Sequence, residues 1–458
     1  MKDVCWNPGT RIVRRNDETL LVNLTTEKFM KIRNEAAQWL SRCVDCGYRN
    51  IEPALPEREK FIDLVEILKK EHYLLDREFY EKNKDKPLMR EQMFNEYGNK
   101  YGRMVYYEVT DRCNQCCKFC FNKPKGRASK FDGDTEDGRK TIDHIKSVLN
   151  ARCLIITGGE PLLRKDIHEL VAHAKTRIPQ VCMQTNGTLL DEDYAVKLKD
   201  AGLDIIQISC ESPDESVHDS LRGKGNHKKT LEAIRLFKQA GFKKNQIVMT
   251  ATLNNHTYAH LDEYKDFAEK HGVSSNLSMY QHVGRGSEND EFALSDDQLN
   301  KVLFGVMTSR KADVLDQIKD PNEEYDRAMV PAIKNECGML VKTIAVKQNG
   351  NVVPCHLFLS SKDFIVGNIF DADILRKIYL AYRAIPRVDD IDKCKDCDVR
   401  YFCGNGCFAN TYWTYGTFKH ANPYCSFFEN YFKSIIWNLG KKEERKTILT
   451  ELLKHAVG

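Results

Sequence analysis

A chain of 458 residues with a formal net charge of only +4 has room for two to four domains and lacks the strongly basic footprint of a nucleic-acid binder. Hydrophobic residues make up 41% and charged residues 30%, enough for ordinary buried cores beneath a soluble surface. No run approaches the roughly 18 apolar residues of a spanning helix, and Met1-Lys2-Asp3-Val4-Cys5-Trp6-Asn7 lacks a signal peptide's apolar centre, so a cytoplasmic protein without nucleic-acid or membrane partners is expected.

The first hundred residues form their own pattern. Arg11–Arg14 and Leu20–Asn23 predict a hairpin around Asn16-Asp17-Glu18. Thr25–Arg42 reads as a helix with Phe29, Ile32, Ala36 and Leu40 on one side. Pro56–Lys70 is a second helix, and Tyr73-Leu74-Leu75 a short wing. Residues 1–76 are thus expected to be a winged-helix-like domain, and 77–103 a charged linker.

From Met104 the pattern alternates. Strands are expected at Met104–Val109, Cys153–Thr157, Val181–Thr185, Asp204–Ser209, Gln246–Leu253 and Asn276–Gln281. Helices fall between them at Thr135–Asn150, Asp166–Arg177, Asp191–Asp200, Lys228–Ala240 and Tyr258–His271. Such alternation predicts an α/β fold with a parallel sheet: a partial (β/α)6 TIM-like barrel over residues 104–310. A helix at Ser295–Ser309 and a charged connection at 311–336 follow. Residues 337–432 are cysteine-rich with little helical periodicity, and Phe427–His455 reads as an amphipathic helix, its last part (433–458) standing apart.

Seventeen cysteines are many for a reducing compartment, where clustered thiols indicate metal or catalysis. Directly after the first barrel strand, Cys113, Cys117 and Cys120 are spaced C-x3-C-x2-C, with Phe119 before the last. Three thiolates on one short loop suit three irons of a cubane cluster and leave the fourth iron without a protein ligand, the open position of a catalytic site. Cys116 permits the alternative set Cys113, Cys116 and Cys120; Phe119 favours Cys117. A structural zinc site completed by a residue such as His144 is the bland alternative, although zinc knuckles ordinarily come in pairs.

This loop resembles the signature of the radical S-adenosylmethionine (SAM) superfamily. The resemblance implies that the open iron chelates SAM, and that a 5′-deoxyadenosyl radical then removes hydrogen from a substrate. It also implies cofactor contacts from Phe119, from Gly158, Gly159 and Glu160 after the second strand, and from Asn186 after the third. Ser209, ending the fourth strand, is implied to meet the ribose, Arg222 the SAM carboxylate, and Val283 to lie near adenine. Where relatives often read Ser-x-Asp-Gly, this chain has Ser209-Cys210-Glu211-Ser212.

Cys337, Cys355, Cys394, Cys397, Cys403, Cys407 and Cys425 resemble the SPASM extension. The resemblance implies one auxiliary cluster on Cys394, Cys397, Cys403 and Cys425, and another on Cys337, Cys355 and Cys407, giving three 4Fe-4S clusters in all. No further cysteine stands between Cys337 and Cys355, so the second auxiliary cluster has an open iron or is completed by His356 or another side chain. Paired zinc knuckles would suit the quartet but not the triplet.

The N-terminal pattern resembles the recognition element of peptide-modifying radical enzymes. It implies that a precursor peptide's leader docks as a strand at Leu20–Asn23, facing helix Pro56–Lys70. Cys43 and Cys46 read as spare thiols. The function implied is maturation of a ribosomally made peptide, with a thioether crosslink first and a carbon–carbon crosslink second, using a reductant such as flavodoxin or ferredoxin. A sulfatase-maturing oxidase and a non-catalytic cluster scaffold are the competing readings.

Overall fold

The computed structural model describes residues 4–16, 18–24, 28–46, 55–78, 81, 102–122, 133–302, 334 and 337–436. Most of the expected linker, nearly all of the 311–336 connection and the chain beyond 436 lie outside the described residues.

Val4–Trp6 (β1) precedes three antiparallel strands, Thr10–Arg15 (β2), Glu18–Asn23 (β3) and Lys28–Arg33 (β4), ordered β2-β3-β4. The helices Asn34–Cys46 (α1) and Leu55–Lys70 (α2) follow, and Leu74–Asp76 (β5) returns to pair antiparallel with β1. Lys28–Arg33 was expected to open a helix, but it is a strand paired with β3 over its whole length. Alternation explains this: Met30 and Ile32 pack with Leu21, Leu40 and Val65 on the helical side, while Phe29 turns the other way, edge-on to Phe402 with centroids 5.1 Å apart. A helix could not divide these side chains between two faces.

Both faces of this small sheet are therefore covered. Val13, Leu20 and Val22 join the large core shared by the barrel and the cysteine-rich region. Arg11 and Arg15 reach Asp389 and Asp398 at 3.6 and 3.5 Å around the rim, contacts exposed enough to contribute little beside the apolar burial. Leu20–Asn23 is thus the central strand, with both edges already paired. It cannot accept a further strand, which corrects the expected docking position.

Arg103–Glu108 (β6) opens the barrel. It is followed by Thr135–Leu149 (α3), Ala151–Thr157 (β7), Ile167–Lys175 (α4), Gln180–Thr185 (β8), Glu192–Asp200 (α5) and Ile205–Ser209 (β9). Glu215–Arg222 (α6), Asn226–Gln239 (α7), Ile247–Leu253 (β10), Leu261–Lys270 (α8) and Ser274–Met279 (β11) complete it. All six strands run parallel in sequence order. Asp134 and Asp137 form a reciprocal capping box at the start of α3, and Ile142, Ile145 and Leu149 share the core with Val105 and Tyr107 of β6. The opposite strand faces are polar: Thr157 bonds Gln184 at 3.0 Å, and Gln184 bonds Gln207 at 2.8 Å. A closed TIM barrel fills this space with branched apolar layers. Helix α6, capped by Asp214 on Ser216 N–H at 2.7 Å, was not anticipated.

The sheet does not end at the barrel. Thr343–Val346 (β12) pairs parallel with β6, and Asn351–Val353 (β13) and Gly367–Asn368 (β14) extend it antiparallel, giving nine strands ordered β11-β10-β9-β8-β7-β6-β12-β13-β14. Three longer helices follow, Ile374–Ala384 (α9), Phe408–Tyr415 (α10) and Cys425–Ile436 (α11). The expectation of little helical periodicity is corrected at α9, whose buried Ile374, Ile378 and Tyr382 recur every four residues.

Because Leu20 lies between the N-terminal sheet and the main core, Leu20→Ala should cost about 2–5 kcal/mol. The check is a lower midpoint of chemical denaturation together with faster proteolysis of the N-terminal strands.

Candidate functional site

The loop after β6 is held by backbone contacts at both ends. Gly159 N–H donates to Thr110 O at 2.9 Å, and Glu160 N–H to Arg112 O at 2.7 Å. A Cβ at Gly159 would lie 1.9 Å from the Arg112 carbonyl oxygen, so no other residue fits. At the far end, Arg285 N–H donates to Cys120 O at 2.9 Å, and Arg285 Nη1 to Cys117 O at 2.8 Å. Gly284, at φ +64°, would place a Cβ 2.2 Å from Phe121 O. Asn114 ties the middle of the loop to the end of β8, accepting from Asn186 Nδ2 and donating to Thr188, both at 2.9 Å.

Held this way, the loop buries Cys113 and Cys117 and leaves Cys116 exposed. Phe119 packs under the loop with Leu221, Tyr280 and Phe292. Burial pushes the Cys113 thiol up to about 12 and the Cys120 thiol to about 11, and the neighbouring Cys117 thiol adds to both. Buried neutral thiols of this kind give up their protons to a metal far more readily than to water.

The expected cofactor-contact residues gather around the same loop. Glu160 is buried, and its carboxylate accepts from Leu162 N–H (3.1 Å), Thr185 Oγ1 (2.6 Å) and Asn186 N–H (2.8 Å). Its carboxylate therefore staples the strand ends beneath the loop. Asn186 Oδ1 is taken by Thr188, Ser209 ends β9 half-buried, and Val283 is fully buried beside Gly284. Arg222, in the last turn of α6, donates from Nε to Glu211 Oε1 at 2.6 Å and from Nη1 to the Cys117 sulfur at 3.7 Å. Its guanidinium lies 5.6 Å from the centre of the Phe119 ring.

The second cysteine group separates into two sets. Cys394, Cys397, Cys403 and Cys425 line one cavity of about 160 Å³, and burial, then mutual repulsion, pushes the Cys394 and Cys403 thiols up to about 12. Cys337, Cys355 and Cys407 form the other: burial, then the Cys337 and Cys407 thiols, raises Cys355. Cys407 heads α10, and burial, then the Cys337 thiol, pushes its own thiol up to about 12. Both donor sets are all-thiol and buried, which suits iron–sulfur clusters.

His356 does not join the triplet. Cys355 is fully extended (φ −161°, ψ 178°), so consecutive side chains diverge. The imidazole stacks on Tyr106 at 4.3 Å and meets Phe121 edge-on at 5.4 Å, facing the first cysteine loop.

Three contributors escaped the sequence reading: Asn114 and Arg285, which fix the loop, and Glu108. Glu211, noted there only as a departure from the family pattern, anchors Arg222. Glu108, buried at the end of β6, accepts from Asn122 at 2.8 Å and lies 3.5 Å from Lys347 of the cysteine-rich region. A carboxylate at the C-terminal end of a barrel strand was a usable signal; the Asn114–Asn186 pair, 72 residues apart in sequence, left none.

Residues 107–268 match the Radical SAM superfamily and residues 337–398 the SPASM iron-sulfur cluster-binding domain. An AdoMet-dependent heme synthase of Nitratidesulfovibrio vulgaris is 27% identical over 356 residues, spanning 72% of this chain and 94% of that protein. The mycofactocin maturase MftC of Mycolicibacterium smegmatis is 24% identical over 325 residues, spanning 70% and 81%. Among solved structures, Streptococcus suis SuiB bound to its precursor peptide SuiA shares the fold at a TM-score of 0.57 and 16% identity, covering 92% of this chain and 99% of that one.

Gly159→Ala should displace the cysteine loop and remove about four irons per chain after anaerobic reconstitution, the content of one cubane cluster. Cys117→Ser should do the same, while Cys116→Ser keeps full iron; iron analysis and EPR of the reduced protein check all three.

Proposed function

Because the chain is a radical SAM enzyme with a SPASM iron–sulfur domain, we propose that it matures a ribosomally made precursor peptide, installing a sulfur-to-carbon thioether crosslink. The observation that carries this reading is the N-terminal sheet. The likeness of fold to SuiB, solved with a precursor peptide, extends over 92% of this chain. MftC, a maturase by name, supports the same direction.

In this reading Cys113, Cys117 and Cys120 hold the first of three clusters. Bound there, cluster and SAM supply a 5′-deoxyadenosyl radical that takes a hydrogen atom from the peptide. The protein orients the cofactor through the backbone at Gly158 and Gly159 and through Asn186, Ser209, Arg222 and Val283, with Phe119 packed beneath. The buried loop keeps water from the reacting centre. Cys394, Cys397, Cys403 and Cys425 hold a fully ligated cluster. Cys337, Cys355 and Cys407 would hold another, and His356 is turned away from it toward Tyr106. An open iron at that site would bind the thiolate of a peptide cysteine and lower its pKa, the chemistry a thioether calls for. A flavodoxin or ferredoxin supplies electrons.

The leader adds as a strand at the edge of β4, which carries no further strand among the described residues.

Reconstituted protein should hold about 12 irons per chain and release 5′-deoxyadenosine from SAM under reduction. Co-expression with a short cysteine-containing peptide encoded beside its gene should yield a peptide lighter by one pair of hydrogens per crosslink, resistant to thiol alkylation. A product that still alkylates fully contradicts the thioether. In hydrogen exchange, the peptide should protect Lys28–Arg33; protection confined to other strands would overturn the docking edge.

A further inference from the structure

The three sulfurs of the first loop differ in what they accept. Cys113 takes the Gln115 N–H, a neutral backbone donor, at 3.4 Å, and the backbone of Asn122 lies beside Cys120. Cys117 has a charged donor, Arg222 Nη1 at 3.7 Å. Arg285, the other cation nearby, reaches the Cys117 carbonyl and not its sulfur.

Arg222 is held in this position from behind. Glu211, fully buried as a side chain, accepts Arg222 Nε on one oxygen at 2.6 Å and Thr252 N–H on the other at 2.7 Å. The Glu211 backbone N–H is itself fixed by His218 Nδ1 at 3.1 Å. Phe119 beneath the guanidinium limits its third direction. A residue serving only to meet a cofactor carboxylate has no need of a hydrogen bond to a cluster ligand.

We propose that Arg222 and Glu211 form a matched pair that sets the reduction potential of the cluster on Cys113, Cys117 and Cys120. Arg222 raises that potential through the Cys117 sulfur, and Glu211 limits the effect. The physical basis is general. Reduction adds an electron to the cluster, so a hydrogen-bonded positive charge at a ligand sulfur stabilises the reduced form, and a buried negative charge behind it opposes this. Both act in a dry environment where charges are weakly screened. The inference rests on the assignment of these three cysteines to the first cluster, and it adds to Arg222 a role separate from pairing with SAM.

The test is an EPR-monitored redox titration of the reconstituted full-length protein without SAM, so that the cofactor carboxylate plays no part. Arg222→Gln should shift the midpoint of the first cluster to more negative values. Glu211→Gln should shift it to more positive values, and Arg222→Lys, which keeps the charge, should stay between parent and Arg222→Gln. A purely structural role predicts no such opposition of sign. Shifts of the same direction in both glutamine variants, or no shift in either, overturn the proposal. Should Arg222→Gln lose its iron, the sign for Glu211→Gln decides alone. Absence of any cubane signal in the parent protein would overturn the cluster assignment itself, a distinct failure.

Discussion

Everything chemical in this molecule depends on a short stretch of backbone being held at both ends. The carbonyls of the cysteine loop are taken by the N–H groups of Gly159 and Glu160 on one side and of Arg285 on the other, with Gly284 packed close against Phe121. Such contacts demand that backbone approach backbone, which only glycine permits. The two grips come from the second and sixth barrel strands, so the loop is clamped across the whole open mouth of the barrel. That explains why the polar residues around it (Glu160, Asn114, Asn186) are occupied with one another: their task is to hold strand ends in register beneath the loop.

The same economy joins the parts of the chain. The sheet runs on from β6 into β12, and Glu108 and Lys347 meet across that junction. Phe121, next to Cys120, touches His356, next to Cys355. The loop for one cysteine set is thus packed directly against the loop for another. A separation fixed by hydrogen-bonded strands and stacked rings does not drift as a hinge would.

Much of this was legible in the sequence, for identifiable reasons. The barrel strands were readable because buried parallel strands leave dense apolar runs between helical periods, and the cysteine spacings announced themselves. What failed depended on tertiary contact. Lys28–Arg33 carries apolar residues that fit a helical face and a strand equally well, and only the presence of Phe402 on one side and Leu40 on the other decides. Leu20–Asn23 looked like an edge because its second partner was mistaken for a helix. Glu211 was noticed as a departure from a family pattern, but its partnership with Arg222 needed helix α6, a segment of 8 residues that was not among the expected helices.

The burial of β3 on both faces has a further consequence. A recognition module on a flexible tether would let a captured chain sample many distances from the reacting centre. Here the N-terminal sheet shares its core with the rest of the protein, so the β4 edge stands at a set distance from the barrel mouth. An extended peptide spans at most about 3.3–3.6 Å per residue. If one end is pinned at β4, the number of residues to the site of reaction becomes a measured length, and the protein acts as a ruler.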